Sequence, residues 1–388
     1  MQTGMHRYPL LERVIYGKPA VAAIVKEAER AGATRVFLTT NRSLGGAGGL
    51  TAGIAAGLRD RCVGTYAGIT AHSPRESVIA GAAQARAARA DLLVAVGGGS
   101  VIDATKLMLA CLWHGLTRTE ELDALRGTRG ADPSRRPKGM ENAIRMFAVP
   151  TTFSAAEFTH VAGVTDTQRR AKEGFGHALF TPQAVVLDPA ATLQTPLDLL
   201  LSTGMKAVDH AVEWLCALNT TPFSDAVSGQ ALTLLARALP AIKSAPQDLD
   251  ARLEGQLGMW LSISGAATGV GVGVSHAIGH TLGGSYGVPH GITSCVTLPS
   301  ALRWNAAANL NRQREASRLM GKPEAAAADL VADLVQRLGL PGRLRDVGIR
   351  REDFQAIADH TMHDAPVRTN PRKIERPADI VEILELAW

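Results

Sequence analysis

Aromatic residues are scarce in this sequence, 4% of 388 residues, which argues against a stacking surface for single-stranded nucleic acid. Cysteine is scarce as well. Cys62, Cys111, Cys216 and Cys295 stand far apart, with no Cys-x-x-Cys pair. That spacing speaks against a disulfide framework or a zinc ribbon and for reduced thiols. No block of Lys and Arg is long enough for a nucleic-acid arm, and the net charge of +5 is modest, a solvated basic surface with a mild bias toward anionic ligands. No apolar run reaches the length of a membrane span, the stretch from Met1 to Leu11 lacks an apolar signal core, and no internal repeat is visible. These absences lead us to expect a soluble, cytoplasmic protein that engages neither nucleic acid nor membrane. Its expected partner is a small anionic molecule.

What is present is a hydrophobic share of 46% and 39 glycines, the make-up of a globular α/β or α protein long enough for two domains. Apolar runs at 14–17, 35–40, 63–69, 92–96, 145–150 and 184–189 read as strands, and 20–30, 49–60 and 75–90 read as helices. Such alternation predicts a parallel sheet with both faces covered. The charged, Gly- and Pro-rich stretch 117–141 reads as a surface excursion, because the same alternation resumes after it. Beyond Pro189 the strand signals stop and helical pattern runs from 197 to the C-terminus. The expected division is an α/β domain over 1–190 and an all-helical domain over 191–388.

Gly97-Gly98-Gly99-Ser100 follows a strand and opens a helix. Glycines let the backbone approach a ligand closely, and the first N–H groups of the helix favour a pyrophosphate. Pro150-Thr151-Thr152-Phe153-Ser154 ends the next strand, at the sheet edge where open parallel sheets bind ligands. In the second half His276 and His280 are four residues apart, as are Lys206 and His210, and His290 follows soon after. That spacing places each pair on one helical face. A divalent ion would want a carboxylate beside the imidazoles, and position 206 is instead a lysine, which has no lone pair to give while protonated. Asp209 lies about 100° around a helix from His210 and is not expected to substitute unless the helix starts late. Cys295 reads as a small buried residue.

The glycine loop through Asp103, Pro150-Thr151-Thr152, Leu187-Asp188-Pro189, Gly204-Met205, His210 to Glu213, His276 to His280, Pro289-His290-Gly291 and Asn370-Pro371-Arg372 stand in one order along the chain. In that order they resemble the iron-containing (group III) alcohol dehydrogenase superfamily over residues 14–388. The resemblance implies the dehydroquinate synthase-like architecture: a Rossmann-like dinucleotide-binding domain, an all-α domain, and an active site in the cleft between them. It implies NADH or NADPH, with Gly97 to Ser100 at the pyrophosphate and Asp103 near the nicotinamide ribose. Thr151, Thr152 and Ser154 would line the adenine and phosphate region, and Lys172 would close over the cofactor. Thr40, Asn41 and Arg42 occupy the end of the second strand, where many members carry an Asp; without that carboxylate NADPH is as admissible as NADH. A homodimer is expected.

Metal-dependent members place an Asp at position 206 and histidines at 210, 276 and 290. Maleylacetate reductases resemble this family but lack the Asp, and the chain shares that loss, with His72 and Phe153 as substrate-side candidates. The resemblance implies His280 as proton donor, with Lys206, His210, His276 and His290 completing the catalytic set. The expected activity is reduction of a small carboxylated substrate without metal. Two alternatives stay open: a metal-dependent alcohol dehydrogenase using His210, His276 and His290, and a non-redox lyase, hydrolase or cyclase using Lys206 and the histidines.

Overall fold

The computed structural model describes residues 6–126, 128, 132–169 and 171–388. Two compact units divide it, Arg7–Thr195 and Pro196–Trp388, the latter joined by the start of the chain. The His6 ring lies against Phe223 at 4.2 Å between centroids, tilted by 44°. The change of unit falls five residues beyond the expected position 190. The reason is local: after the turn Pro189–Thr192, the Thr195 hydroxyl donates to the Thr151 carbonyl at 2.6 Å and holds this stretch to the α/β unit.

In that unit the chain runs β1 (Arg13–Tyr16), α1 (Ala20–Arg30), β2 (Val36–Thr39), α2 (Leu50–Leu58), β3 (Cys62–Tyr66), α3 (Arg75–Ala87), β4 (Leu92–Gly97), α4 (Gly99–His114), β5 (Arg145–Pro150), β6 (Val161–Asp166), β7 (Ala171–Gly176) and β8 (Ala184–Leu187). Six strands form a parallel sheet in the order β1-β8-β5-β4-β2-β3. Every residue of β4 and β5 is buried, as continuous apolar runs in a sheet covered on both faces require. The chain leaves β2 toward one edge of the sheet and β4 toward the other. The order therefore reverses between these strands, the kind of junction where α/β sheets bind ligands.

One element escaped the sequence reading. β6 and β7 pair as an antiparallel hairpin, although β7 reads Ala-Lys-Glu-Gly-Phe-Gly and so lacks the β-branched run that announces a strand. The excursion 117–141 carries a one-sided anchor: Leu122 is buried, and Arg75 reaches Asp123 at 2.7 Å. Gly127, Arg129, Gly130 and Ala131 of that excursion lie outside the described residues, as do residues 1–5.

The second unit is helical: α5 (Leu197–Cys216), α6 (Pro222–Ser244), α7 (Leu249–Ser264), α8 (Val274–Ser285), α9 (His290–Leu319, kinked at Asn309), α10 (Ala327–Leu338), α11 (Phe354–Thr361) and α12 (Pro377–Ala387). α5 is buried around almost its whole girth, which makes it the central helix of this unit. No helix among the described residues is long and apolar enough to cross a membrane.

Candidate active site

In the α/β unit, glycines bring two loops together. Gly97 has φ +157°, and a Cβ there would lie 2.6 Å from the Val101 side chain. A Cβ on Gly98 would lie 2.9 Å from Thr152 Cγ2, and one on Gly99 3.1 Å from Ser154 Oγ. Side chains at positions 98 and 99 would push the two loops apart. Thr152 Oγ1 and Ser154 Oγ are buried with no hydrogen-bond partner among the described residues, a costly state for a hydroxyl unless a ligand completes it. α4 starts at this spot without a side-chain cap, leaving its first N–H groups for a ligand. The cradle, the two bare hydroxyls and the uncapped helix fit a pyrophosphate.

The neighbouring loops are fastened to the same helix. Ser100 Oγ accepts the His72 N–H at 3.1 Å, and Ser73 Oγ donates to the Ser100 carbonyl at 2.7 Å. His72 and Ser73 both have positive φ, +64° and +51°, a strained pair held beside the cradle, and His72 is exposed. Asp103 Oδ2 accepts the Gly163 N–H at 2.9 Å, which ties the missed hairpin to α4. Lys172 lies along the bare face of Gly163, where a Cβ would come within 2.6 Å of its Cε.

Two residues expected at the site are fully buried. Thr40 is fully buried and donates its hydroxyl to the Val96 carbonyl at 2.8 Å, so its side chain fastens β2 to β4. Phe153 is fully buried as well, between Thr152 and Ser154, whose hydroxyls are also buried. Asn41 Oδ1 accepts from Ser43 Oγ and the Leu44 N–H, shaping the loop, and Arg42 is exposed. Thr151 is buried, with its N–H donating to the Gly97 carbonyl.

In the helical unit the histidines do gather. His210 stacks on His276 at 4.9 Å between centroids, His276 meets His280 edge-on at 6.3 Å, and His280 lies parallel to His290 at 6.4 Å. Close helix approach sets this spacing. A Cβ on Gly291 would lie 2.6 Å from the Ser202 backbone, and one on Gly279 3.0 Å from Thr293 Oγ1. Lys206 is buried, and its Nζ stands 3.3 Å from Asp209 Oδ2.

Asp209 corrects the sequence reading. It is fully buried, receives Ser294 Oγ at 2.6 Å, and stands 3.5 Å from His276 Nδ1. α5 does not start late. The 100° offset from His210 was the wrong measure, since Asp209 is three residues from Lys206 and four from Glu213, and so shares their face. Glu213 is the larger omission. Its carboxyl meets the Gly273 N–H at 2.8 Å, the Ser275 N–H at 2.9 Å and His276 Nδ1 at 2.7 Å. The spacing 206-209-213 was the available signal.

Burial dominates the electrostatics. Desolvation, aided by the Asp209 carboxylate, pushes Glu213 up to about 8, and desolvation pushes His276 down to about 3. At neutral pH the two thus share a proton across Oε2 and Nδ1 in preference to carrying two separate charges. Burial, then His276 and Lys206, drives His210 well below its ordinary value. For Asp209 burial acts upward, but His276, Lys206 and Ser294 together outweigh it and hold the carboxylate below its usual range. An ammonium has three donors, and Lys206 uses one on Asp209; the other two have no protein acceptor among the described residues. Asp209 Oδ1, His210 Nδ1 and His276 Nε2 are likewise buried without partners. Cys295 is buried and its thiol is pushed up to about 12 by desolvation, so it is inert.

Known proteins resemble the chain over its whole length. Residues 12–189 match iron-containing alcohol dehydrogenase, and residues 200–388 match the C-terminal part of the Fe-containing alcohol dehydrogenase family. The dehydrogenase FUM7 of Gibberella moniliformis is 33% identical, over 96% of this chain and 95% of that protein. Maleylacetate reductase of Pseudomonas aeruginosa is 30% identical, over 94% of this chain and 93% of its own. Among solved structures, a putative alcohol dehydrogenase from Ralstonia eutropha superposes with a TM-score of 0.84 at 32% identity, covering 100% of this chain and 98% of the other.

Proposed function

The chain belongs to the iron-containing alcohol dehydrogenase family and is an oxidoreductase, and on that premise we propose that it is an NAD(P)H-dependent reductase of a small carboxylated carbonyl compound that works with Lys206 in place of a metal ion. One observation carries the reading: a buried ammonium with two unused donors amid the histidines, held by Asp209 at 3.3 Å. The donor set does not suit a dication as it stands, since the ammonium already neutralises Asp209 and Nδ1 of His276 is committed to Glu213. The carboxylated substrate follows from the likeness to maleylacetate reductase and from the cation that would face it.

Gly97 to Ser100, Thr152 and Ser154 are the residues that would hold the dinucleotide, with Asp103 and Lys172 beside them. Neither Asn41 nor Arg42 would repel a 2′-phosphate, so both dinucleotides are admitted. When bound, the nicotinamide supplies a hydride. Lys206 stabilises the negative charge that develops on the substrate oxygen, the stacked rings of His210 and His276 shape the surface around it, and His280 delivers the proton.

The test is loss of absorbance at the nicotinamide band with NADH and NADPH over a panel of keto acids and aldehydes, with and without chelator, alongside metal analysis. Turnover that survives chelation supports the reading; stoichiometric metal and abolition by chelator would sink it. Gly98→Val should weaken dinucleotide binding at least about tenfold, a change of ~1.4 kcal/mol, and unchanged affinity would remove the cradle assignment. A metal-dependent reading draws on Asp209, Glu213 and His276, whose donor atoms lie within 4.8 Å of one another; it requires Lys206 to release Asp209.

A further inference from the structure

His280 sits in the second turn of α8, and its Nδ1 lies 2.5 Å from Oδ2 of Asp364, a residue 84 positions away. Asp364 is not a swinging carboxylate. Its Oδ1 accepts the Ala365 N–H at 2.9 Å and caps the short turn Ala365–Thr369. Its own N–H donates to the Thr361 carbonyl at 2.9 Å. The hydroxyls of Thr281 and Thr361 bond each other at 2.9 Å, pinning α8 to the end of α11. Beyond the turn, Thr369 Oγ1 donates to the Val272 carbonyl and Asn370 Oδ1 accepts the Val274 N–H at 3.0 Å, so one flank of Asp364 is tied to the start of α8 and the other to its middle.

An ionised carboxylate only accepts hydrogen bonds. The contact therefore fixes the proton of His280 on Nδ1 and turns Nε2 the other way. Nε2 has no protein partner among the described residues, and the side chain is 35% exposed. The neighbouring rings, His276 edge-on and His290 parallel, offer Nε2 no competing carboxylate.

We propose that Asp364 is the positioning residue of the proton donor: it holds His280 in one tautomer, with Nε2 presented to substrate, and stabilises the imidazolium from which the proton leaves. The proposal rests on the reductase reading. In the step, the carbonyl carbon accepts a hydride from the reduced nicotinamide and the C=O electron pair moves to oxygen. The Nε2–H bond of His280 breaks and the O–H bond forms. His280 is left neutral, still donating Nδ1–H to Asp364, and solvent restores the lost proton. The products are the alcohol and the oxidised dinucleotide.

Two measurements on the full-length enzyme decide it. Asp364→Asn should lower kcat about 10²-fold with KM changed by no more than roughly threefold, and Asp364→Glu should recover part of the rate. Nitrogen-15 histidine spectra, assigned with His280→Gln, should show Nδ1 of His280 protonated in wild type and the tautomer balance shifted in Asp364→Asn. Wild-type spectra with a bare Nδ1, or an unchanged kcat in Asp364→Asn, would overturn the proposal. So would a lost rate with unaltered nitrogen shifts, because a merely structural role gives that result. If wild type oxidises neither dinucleotide with any carbonyl, the reductase reading fails, and the nitrogen shifts still report whether Asp364 sets the tautomer.

Discussion

Each unit of this protein buries a lysine with a glutamate close by, and the two pairs differ in how completely they are satisfied. In the α/β unit Lys106 is wholly buried and gives all three donors away, to the Ala156 carbonyl at 2.6 Å, Thr159 Oγ1 at 3.1 Å and the Val161 carbonyl at 2.7 Å. Glu157 beside it has neither oxygen hydrogen-bonded, and burial pushes it up to about 8. In the helical unit the arrangement is inverted. Glu213 accepts from two backbone N–H groups and shares a proton with His276 Nδ1, while Lys206 has one acceptor. A cation with no unused donor can only hold structure; one with two unused donors is able to meet a substrate. On the proposed reading, the same residue type serves scaffold in one place and chemistry in the other.

Replacing the two lysines separates those roles most sharply. Lys206→Met should lower kcat/KM about 10²–10³-fold. It should also destabilise the fold, since a buried partner left uncompensated costs about 3–5 kcal/mol. Adding Asp209→Asn should restore the melting temperature and leave the rate low. Recovery of rate in that double variant would show that Lys206 serves only to neutralise Asp209. Lys106→Met should act the other way round. Three acceptors left bare cost about 1–3 kcal/mol each, so the melting temperature falls, with kcat at saturating dinucleotide within a few fold of wild type. A Lys106→Met enzyme that melts normally but turns over slowly would break the comparison.

The glutamates give the smallest effect, a slope. Burial raises the Glu157 carboxyl to about 8, so the folded protein keeps a proton there that the unfolded chain releases at ordinary carboxylate pH. Its contribution is fully present below that ordinary range and is lost as pH rises toward 8. Glu157→Gln removes this titration. Urea unfolding should therefore show the variant gaining on wild type between about pH 4.5 and 8, with a constant difference below that window. Parallel stability curves across it would mean that Glu157 is not held protonated.

The strands of the sheet were legible because a parallel sheet leaves long apolar runs, as at 92–96 and 145–150, and the close packing of the glycine loop was legible because it depends on missing side chains. The hairpin β6–β7 was not, since Lys172, Glu173 and two glycines carry no strand signature and tertiary contacts decide the matter. Thr40 shows the limit of position-based expectation. Standing at a strand end says nothing about which way a side chain turns, and the Thr40 hydroxyl turns to the Val96 carbonyl. Asp209 was misjudged by measuring its angle from one histidine instead of from the whole face of α5. Asp364 had no local signal at all, because its partner is 84 residues away and only folding brings them together.

At residue 291 no side chain separates the first turn of α9 from the backbone of α5 at Ser202. Two helices in such direct contact are locked in height, since a slide of even a fraction of a turn drives main chain into main chain. Lys206 and Asp209 on one helix and His290 and Ser294 on the other therefore travel together as one block. Whatever yields to admit substrate and let product go must lie outside this block. Adaptation of the cluster toward other substrates is likewise confined to exchanging side chains on a fixed frame, one functional group at a time.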